Sequence, residues 1–382
     1  MIPLATPNLS GNEARYLQQC IETGYVSSIG PFVDRFEKSV ADSAGNLYGV
    51  ATSAGTTGLH AALTAVGVGR DDLVLLPSFT FIASANAIAH CGAQPWLFDI
   101  DGGWGLNPEL VEQELKDKCH LTSHGVIYRP TGQRVAAMLP VHTLGLPADM
   151  PRLITIARTH DIPVVADAAC ALGATMHGKP VGALGADLNV FSFNGNKTVT
   201  AGGGGVVTGD NSELVDRVRH LTTTARVSES YDHDLVGFNY RMTNLQAAVG
   251  VAQMENLERF VAAKRRISAT YRSALEDIPT LSFFPDRQGC VSACWFSGVR
   301  LLAPNADIDI IINELREKGI GARPFWKPMH LQAPYRAAPT TDMPSTDSLW
   351  HRILTLPCSS QLSAADQQCV TDAVRYALDR NL

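Results

Sequence analysis

The sequence has little that would favour a disulfide-bonded, nucleic-acid-binding or membrane-spanning protein. Its eight cysteines, among 382 residues, are scattered without a CxxC pair, which argues against a disulfide framework and a zinc site. The formal net charge is −6 and no run of basic residues occurs, so nucleic acid is not an expected partner. No uncharged apolar stretch approaches the roughly 20 residues that cross a bilayer. We therefore expect a globular protein that has neither a membrane nor a nucleic acid as its partner.

Two further absences narrow the class of protein. The first residues lack a basic segment followed by an apolar run, so no signal peptide is expected, and the unpaired cysteines indicate a cytoplasmic protein. No GxxxxGK[ST] motif occurs, which argues against an ATP-dependent kinase or ligase. With 45% hydrophobic and 18% charged residues, the chain is long enough for one large domain and a smaller one.

Short apolar runs alternate with amphipathic stretches from about residue 45 to residue 210. This alternation predicts an α/β fold with a mainly parallel central sheet covered by helices. The runs expected to form buried strands are 47–53, 72–78, 94–100, 136–142, 162–168 and 187–193. A helical pattern over 243–277 then leads into a region with the pattern of a small α+β domain. We predict a large domain over 1–252 and a small C-terminal domain over 253–382, with one continuous helix crossing the border.

Lys197 is the only charged residue in the segment FSFNGNKTVTAGGGGVV, residues 191–207. A lysine kept from water is more readily neutral and nucleophilic than a lysine on a solvated helix face. Asp167, in VVADAACALG, ends the most apolar predicted strand, where an ionised carboxylate is costly unless a cation faces it. Ligands of such sheets bind beyond the carboxyl ends of the strands. The two residues are therefore expected to address one bound molecule, although they could also simply pair with each other.

The segment TSAGTTGLHAAL, residues 52–63, passes from a strand through a glycine turn into a helix. Free N–H groups and the hydroxyls of Thr56 and Thr57 at a helix start can hold an anion, or can serve for capping alone. Ser192 is a second candidate phosphate hydroxyl, and Phe81 is a candidate aromatic cover, although either could be a plain core residue. One cofactor would account for the lysine, the aspartate, the anion site and the aromatic ring together. It is pyridoxal 5′-phosphate, held by a lysine Schiff base with an aspartate at the ring nitrogen.

Eight segments carry a resemblance to the DegT/DnrJ/EryC1/StrS family of sugar aminotransferases, which belong to the fold-type-I class of pyridoxal-phosphate enzymes. They occur in the family's order and spacing over nearly the whole chain. They are GYVSSIGPFVDRFE, SAGTTGLHAAL, LPSFTFIASANAI, LPVHTLGLPADM, VVADAACALGA, FSFNGNKTVTAGGGG, GFNYRMTNLQAAVGVAQME and ARPFWKPMHLQ.

The resemblance implies a role for each matching residue. Lys197 forms the Schiff base and shuttles protons, Asp167 binds the ring nitrogen, and Phe81 stacks on the ring. The phosphate ligands are Ser192 with Gly55, Thr56 and Thr57. The resemblance further implies a homodimer with shared active sites, in which Asn239 reaches the partner's phosphate, His330 lies near the partner's site, and Ser27 and Ser28 lie near the nucleotide sugar.

Cys170 departs from the family pattern, because many members carry Gln or Glu three residues after the aspartate. A thiol cannot replace an amide beside the cofactor's 3-hydroxyl, so that contact is open. The sugar diphosphate needs local positive charge in a net acidic chain, and Arg323 and Lys327 are the candidates, each of which could equally be a solvated surface charge.

The resemblance implies transfer of the amine of L-glutamate to the C4 keto group of a nucleotide-linked 4-keto-6-deoxy sugar, for surface polysaccharide or glycan biosynthesis. UDP-4-keto-6-deoxy-N-acetylglucosamine is the first expectation and GDP-4-keto-6-deoxymannose the second. A sugar dehydratase on the same fold carries histidine in place of the lysine, so Lys197 argues against it. A regulator that binds pyridoxal phosphate without turnover would need a DNA-binding element, and the sequence has no pattern for one.

Overall fold

The computed structural model describes residues 1–303 and 306–381. Over these residues the chain forms helices α1 Glu13–Thr23, α2 Pro31–Ala44, α3 Gly55–Ala65, α4 Ile82–His90, α5 Pro108–Lys118, α6 Met150–Thr159, α7 Ser212–Thr222, α8 Asn244–Met254, α9 Leu257–Leu275, α10 Ile308–Glu317, α11 Pro344–Leu349 and α12 Ala364–Asn381. The strands are β1 Tyr48–Thr52, β2 Leu73–Pro77, β3 Gln94–Phe98, β4 Cys119–Thr122, β5 Gly125–Tyr128, β6 Gln133–Met138, β7 Val165–Asp167, β8 Thr175–Met176, β9 Lys179–Pro180, β10 Leu188–Ser192, β11 Gly205–Gly209, β12 Leu281–Phe283, β13 Cys290–Val291, β14 Ser297–Leu301, β15 Arg323–Pro324 and β16 Ile353–Leu356.

The central sheet consists of two groups of strands that meet between β6 and β7. One group has the order β3-β2-β6-β5-β4, in which β3, β2 and β6 pair in parallel and β5 and β4 are antiparallel, and the other has the order β7-β10-β11-β1. Parallel bridges from Met138 to Val164 and from Val141 to Asp167 join the two groups. In the second group β11 runs antiparallel to both of its neighbours, and β7 and β10 are parallel. The predicted α/β fold with a mainly parallel central sheet is confirmed. A strand overlaps each of the six predicted runs, although β6 spans 133–138 where 136–142 was predicted.

The central strands are nearly continuous apolar runs because helices cover both faces of the sheet. All five residues of β2 are buried, as are all five residues of β11. On one face α3, α4 and α7 pack over the strands, and on the other face α2 and α8 do so. The carboxyl ends of the parallel strands therefore emerge along one edge, where the loops that follow them can form a site.

The C-terminal part contains a smaller antiparallel sheet of order β12-β14-β16-β15. Helices α9, α10 and α12 share a hydrophobic core with it, including the fully buried Ile311, Leu354 and Val374. This agrees with the α+β pattern expected there, and the division at residue 252 stays a prediction.

The prediction of one continuous helix over 243–277 is wrong. Helix α8 ends at Met254 and α9 begins at Leu257, with Asn256 at φ −113° and ψ 5° between them. The side-chain amide of Asn256 donates to the carbonyl of Ala252 at 3.1 Å. This bond competes with the backbone ladder, which explains the break.

In the part of the chain that the structure describes, no helix combines the length and the apolar composition that crossing a bilayer requires.

Candidate active site

The predicted catalytic pair lies in one cleft of about 470 Å³ at the carboxyl ends of the central strands. Asp167 is the last residue of β7 and Ser192 is the last residue of β10, which pairs with β7 in parallel. Lys197 follows β10 in a short loop, and its backbone N–H donates to the carbonyl of Asn194 at 3.0 Å. The sheet therefore brings together residues that are 30 positions apart in sequence.

Asp167 forms the buried floor of this cleft, with 6% of its surface exposed. One carboxylate oxygen accepts a hydrogen bond from the Ser84 hydroxyl at 2.7 Å, and the other accepts from the Ala169 N–H at 3.0 Å. Burial raises the pKa of the Asp167 carboxyl, and these two hydrogen bonds and the Lys197 ammonium oppose the rise. Because the effect of burial outweighs these three contributions, a cationic group of a bound molecule would further stabilise the carboxylate.

The amine of Lys197 is partly buried between a thiol and an indole. Its Nζ lies 3.1 Å from Sγ of Cys170 and 3.8 Å from the centre of the Trp295 ring. Burial raises the pKa of the Cys170 thiol, and the ammonium beside it opposes that rise. Cys170 thus contacts the lysine itself, a contact that the sequence did not reveal.

The start of α3 forms the end of the cleft that is suited to an anion. Gly55, Thr56 and Ser192 line it, and the first N–H groups of a helix have no carbonyl partner within the helix. A Cβ added to Gly55 would lie 2.9 Å from Cβ of Ser192, so only glycine allows this close approach. Thr57 points elsewhere, because its Oγ1 accepts from the Ala54 N–H at 3.0 Å and so closes the turn.

Phe81 lies at the N-cap of α4 and lines the cleft with 52% of its surface exposed. Its ring is 5.9 Å from that of Trp326, which lines the same cleft. An exposed aromatic ring beside a cavity is available to cover a flat ligand, and it agrees with the predicted stacking role.

His142 also lines the cleft, and the sequence analysis missed it. Its Nδ1 accepts a hydrogen bond from the Ala148 N–H at 3.1 Å, so the proton of the neutral ring lies on Nε2. That nitrogen is buried and has no partner among the described residues. Burial, with a contribution from Arg287, lowers the pKa of His142 to about 4, so the ring is neutral near pH 7. The signal available in the sequence was its position at the end of the apolar run 136–142.

Arg323 is the only cationic residue besides Lys197 among the described residues that line the cleft. Lys327 is exposed and lies outside it. The imidazole of His330 bonds within its own chain, through Nδ1 to the Ser78 hydroxyl at 2.7 Å and through Nε2 to Asp347 at 2.9 Å. Of the two predicted cations, only Arg323 lines this cleft.

Three predicted residues lie outside the cleft of their own chain: Asn239, expected to serve a partner subunit, and Ser27 and Ser28, expected near the nucleotide sugar. Ser27 and Asn239 are exposed, and Ser28 lines a separate cleft of about 580 Å³ together with Tyr25 and Arg241. Their position is compatible with a role toward a second copy, and their roles stay predictions.

The donor set of the cleft fits pyridoxal 5′-phosphate. It provides one buried carboxylate for a ring nitrogen, one amine for an aldehyde, and a helix start with a serine hydroxyl for a phosphate. Gly204, at φ 103°, and Gly205 let the following backbone lie close to the start of α3. The residues present therefore match each polar group that the cofactor carries, apart from its 3-hydroxyl.

Comparison with known proteins identifies an aminotransferase family over nearly the whole chain. Residues 7–375 match the DegT/DnrJ/EryC1/StrS aminotransferase family. The chain is 37% identical to a GDP-perosamine synthase of Caulobacter vibrioides, over 100% of this chain and 98% of that protein. It is 36% identical to a GDP-perosamine synthase of Vibrio cholerae, over 94% of each chain. The crystal structure of the aminotransferase TlmJ from Streptoalloteichus hindustanus superposes with a TM-score of 0.89 at 27% identity, over 100% of this chain and 99% of that one.

Proposed function

The chain belongs to the DegT/DnrJ/EryC1/StrS aminotransferase family, and on that premise we propose that it transfers the amine of L-glutamate to C4 of GDP-4-keto-6-deoxymannose. It is a pyridoxal-phosphate-dependent nucleotide-sugar aminotransferase, as the family and its relatives indicate. The choice of sugar rests on one observation, which is the similarity over the full chain to GDP-perosamine synthases. The guanosine sugar, second in the sequence analysis, therefore takes the place of the uridine sugar as the proposed substrate.

The cofactor, when bound, supplies an electrophilic carbon that carries the amino group and a ring that accepts electrons. Asp167 holds a proton at the ring nitrogen, since a carboxylate in this buried position favours a cation beside it. The start of α3 and Ser192 bind the phosphate, and Phe81 covers the ring and excludes water. Each of these residues acts by binding or orienting, which leaves the proton transfers to another group.

Lys197 performs the proton transfers. Its amine would take a proton from the α-carbon of glutamate and give it to the cofactor carbon on the other side of the transferred nitrogen, and it would carry out the reverse transfer to C4 of the sugar. No second basic side chain with a free lone pair faces this position among the described cleft residues, because the free nitrogen of His142 is its N–H. A dehydratase that needs histidine in place of this lysine has no support here.

Arg323 binds the negative charge of the substrates. Glutamate carries two carboxylates and the sugar carries a diphosphate, while Lys197 is the only other cation that lines the described cleft. Arginine matches carboxylate and phosphate oxygens with two parallel hydrogen bonds. Both substrates use the same site in turn, so one arginine can serve both half-reactions.

The homodimer with shared active sites stays part of this proposal. The segments next to Ser28 and Asn239 expose apolar side chains to water: Tyr25, Val26 and Ile29 in one, and Tyr231, Leu235 and Val236 in the other. Such clusters are typical of surfaces that another chain covers. Mixing an inactive Lys197→Ala chain with an inactive Asn239→Asp chain should restore part of the activity, and an absence of recovery in proven mixed dimers would contradict shared sites.

The substrate is tested by supplying L-glutamate with either the GDP-linked or the UDP-linked 4-keto sugar. We expect formation of 2-oxoglutarate and an amino sugar, measured by mass spectrometry, at a higher kcat/KM for the GDP sugar. The Lys197→Ala variant is the control for non-enzymatic transfer. Turnover of the UDP sugar alone would contradict the proposed substrate while leaving the aminotransferase activity intact. The cytoplasmic location and the role in polysaccharide or glycan biosynthesis stay predictions.

A further inference from the structure

Lys197 rests on the face of Trp295, a residue from the C-terminal part of the chain. The distance from Nζ to the ring centre is 3.8 Å, and 4% of the surface of Trp295 is exposed. We propose that Trp295 is a positioning residue that holds the Lys197 amine, as an ammonium, whenever that amine is not joined to the cofactor. This inference rests on the cofactor of the family and does not depend on which sugar is the substrate.

Three hydrogen bonds hold Trp295, one through its indole and two through its backbone. Its Nε1–H donates to the carbonyl of Asn196 at 2.8 Å, which ties the ring to the loop that carries the lysine. Its backbone N–H donates to the carbonyl of Leu144 at 3.1 Å, and its carbonyl accepts from Nζ of the buried Lys264 at 2.8 Å. The ring therefore cannot follow the lysine when the lysine moves, and it marks one constant position in the cleft.

The surroundings of the amine favour the ring as its partner. Asp167 is the only carboxylate among the described residues lining the cleft, and its oxygens accept bonds from Ser84 and Ala169. The thiol of Cys170, at 3.1 Å from Nζ, is a weak acceptor. The face of an indole carries partial negative charge and attracts an ammonium more strongly than the ring of Phe or Tyr does.

The reaction gives this contact a function. Lys197 would have to leave the cofactor, take a proton from one carbon, and deliver it to a second carbon on the other side of the transferred nitrogen. A free lysine side chain has several rotatable bonds, so without a partner its amine would spread over many positions. Contact with Trp295 keeps the protonated amine within the cleft, at the cost that the amine has to leave the ring before it can bond to the cofactor.

Fluorinated tryptophans test this cost without changing the shape of the side chain. Each added fluorine withdraws charge from the ring face and weakens its attraction for a cation. Cofactor-free protein is prepared in a series in which all five tryptophans carry no, one, two or more fluorines per ring. Each protein is mixed with pyridoxal 5′-phosphate at mildly acidic pH, and uptake of the cofactor is followed by absorbance. We expect the rate constant of uptake to rise stepwise with fluorination, by about two- to tenfold over the series.

The matched control is W295F protein labelled in the same way, which reports the effect of the other four tryptophans. Its rates should not depend on fluorination, because phenylalanine at this position takes up no label. A flat series in the wild-type protein, or the same slope in both proteins, would overturn the role of Trp295. A wild-type protein that takes up no pyridoxal 5′-phosphate would overturn the premise and this inference together, so the two failures are distinguishable.

Discussion

Replacement of Asp167 by asparagine removes the negative charge of the cleft floor and retains its shape. The amide oxygen can still accept the hydrogen bond from the Ala169 N–H. The Ser84 hydroxyl, which also contacts the Thr80 hydroxyl at 2.9 Å, can rotate to accept from the new amide N–H. We therefore expect Asp167→Asn to fold and to keep part of its cofactor.

The expected loss of activity follows from the burial of Asp167. Removing one partner of a buried ion pair costs roughly 3–5 kcal/mol, because the remaining charge has no counterion. A loss of this size in the transition state corresponds to about a 10²- to 10⁴-fold lower rate, since each 1.4 kcal/mol is a factor of ten. With 6% of its surface exposed, Asp167 leaves little room for water to replace the lost charge.

The assay is a single-turnover reaction of cofactor-loaded protein with L-glutamate, followed by the absorbance of the bound cofactor. Cofactor occupancy and the melting temperature are measured on the same preparation. Asp99→Asn is the matched control: Asp99 is also buried, at 2% exposure, but its carboxylate accepts bonds from Ser345 and Thr346 outside the cleft. We expect that control to lose stability and to keep its rate per bound cofactor.

A rate for Asp167→Asn within tenfold of the wild-type rate, at full occupancy, would refute the assigned role. So would an equal loss of rate in Asp99→Asn, because the effect would then reflect a general response to the loss of a buried charge.

Three further predictions concern groups that support the cleft. The pKa of His142 falls from 6.5 to about 4 on folding, so the unfolded chain binds a proton that the folded chain does not, and stability is lost as the pH falls through that range. Urea unfolding should show that this residue lowers the free energy of unfolding by about 2 kcal/mol between pH 7 and pH 5, and this loss should be absent in His142→Gln. The contribution of His60, whose pKa is also lowered to about 4, remains in that variant. The same pH dependence of stability in both proteins would contradict the prediction. Lys264→Met removes the donor to the carbonyls of Trp295 and Cys358 and should lower the free energy of unfolding by on the order of 3 kcal/mol. Lys38→Met, at an exposed position, should leave the stability almost unchanged. Equal melting temperatures of the two variants would disprove this prediction. Gly55→Ala places a methyl group against Ser192. In a titration of cofactor-free protein, this variant should bind pyridoxal 5′-phosphate roughly tenfold more weakly. Unchanged affinity would argue against a phosphate at this end of the cleft.

The central sheet could be predicted from the sequence because each of its strands corresponds to a local pattern of apolar residues. Parallel strands that are buried on both faces have to be continuous apolar runs, and turn residues separate them from amphipathic helices. Lys197 and Asp167 stood out for the same reason, since each is a charged residue at the end of an apolar run. The break between α8 and α9 was missed because it depends on one asparagine side chain that bonds to the preceding turn.

The surroundings of Lys197 and Asp167 could not be predicted from the residues next to them in the sequence. Trp295 lies about 100 residues after Lys197, and the contact of its ring with the amine results from how the C-terminal part packs on the sheet. The free N–H of His142 follows from a hydrogen bond to Ala148 that no spacing rule encodes. Thr57 matched the expected phosphate turn, yet its hydroxyl bonds to Ala54 and closes that turn.

The sequence by itself determined the α/β architecture, the lysine and aspartate at its centre, and the family to which they point, because these depend on hydrophobic periodicity and on short segments in a given order. Only the tertiary structure decided what the lysine contacts, which of the two candidate cations reaches the cleft, and which predicted residues lie outside it. The physical reason is that such contacts join strand ends and loops far apart in the chain, and their distances are set by packing.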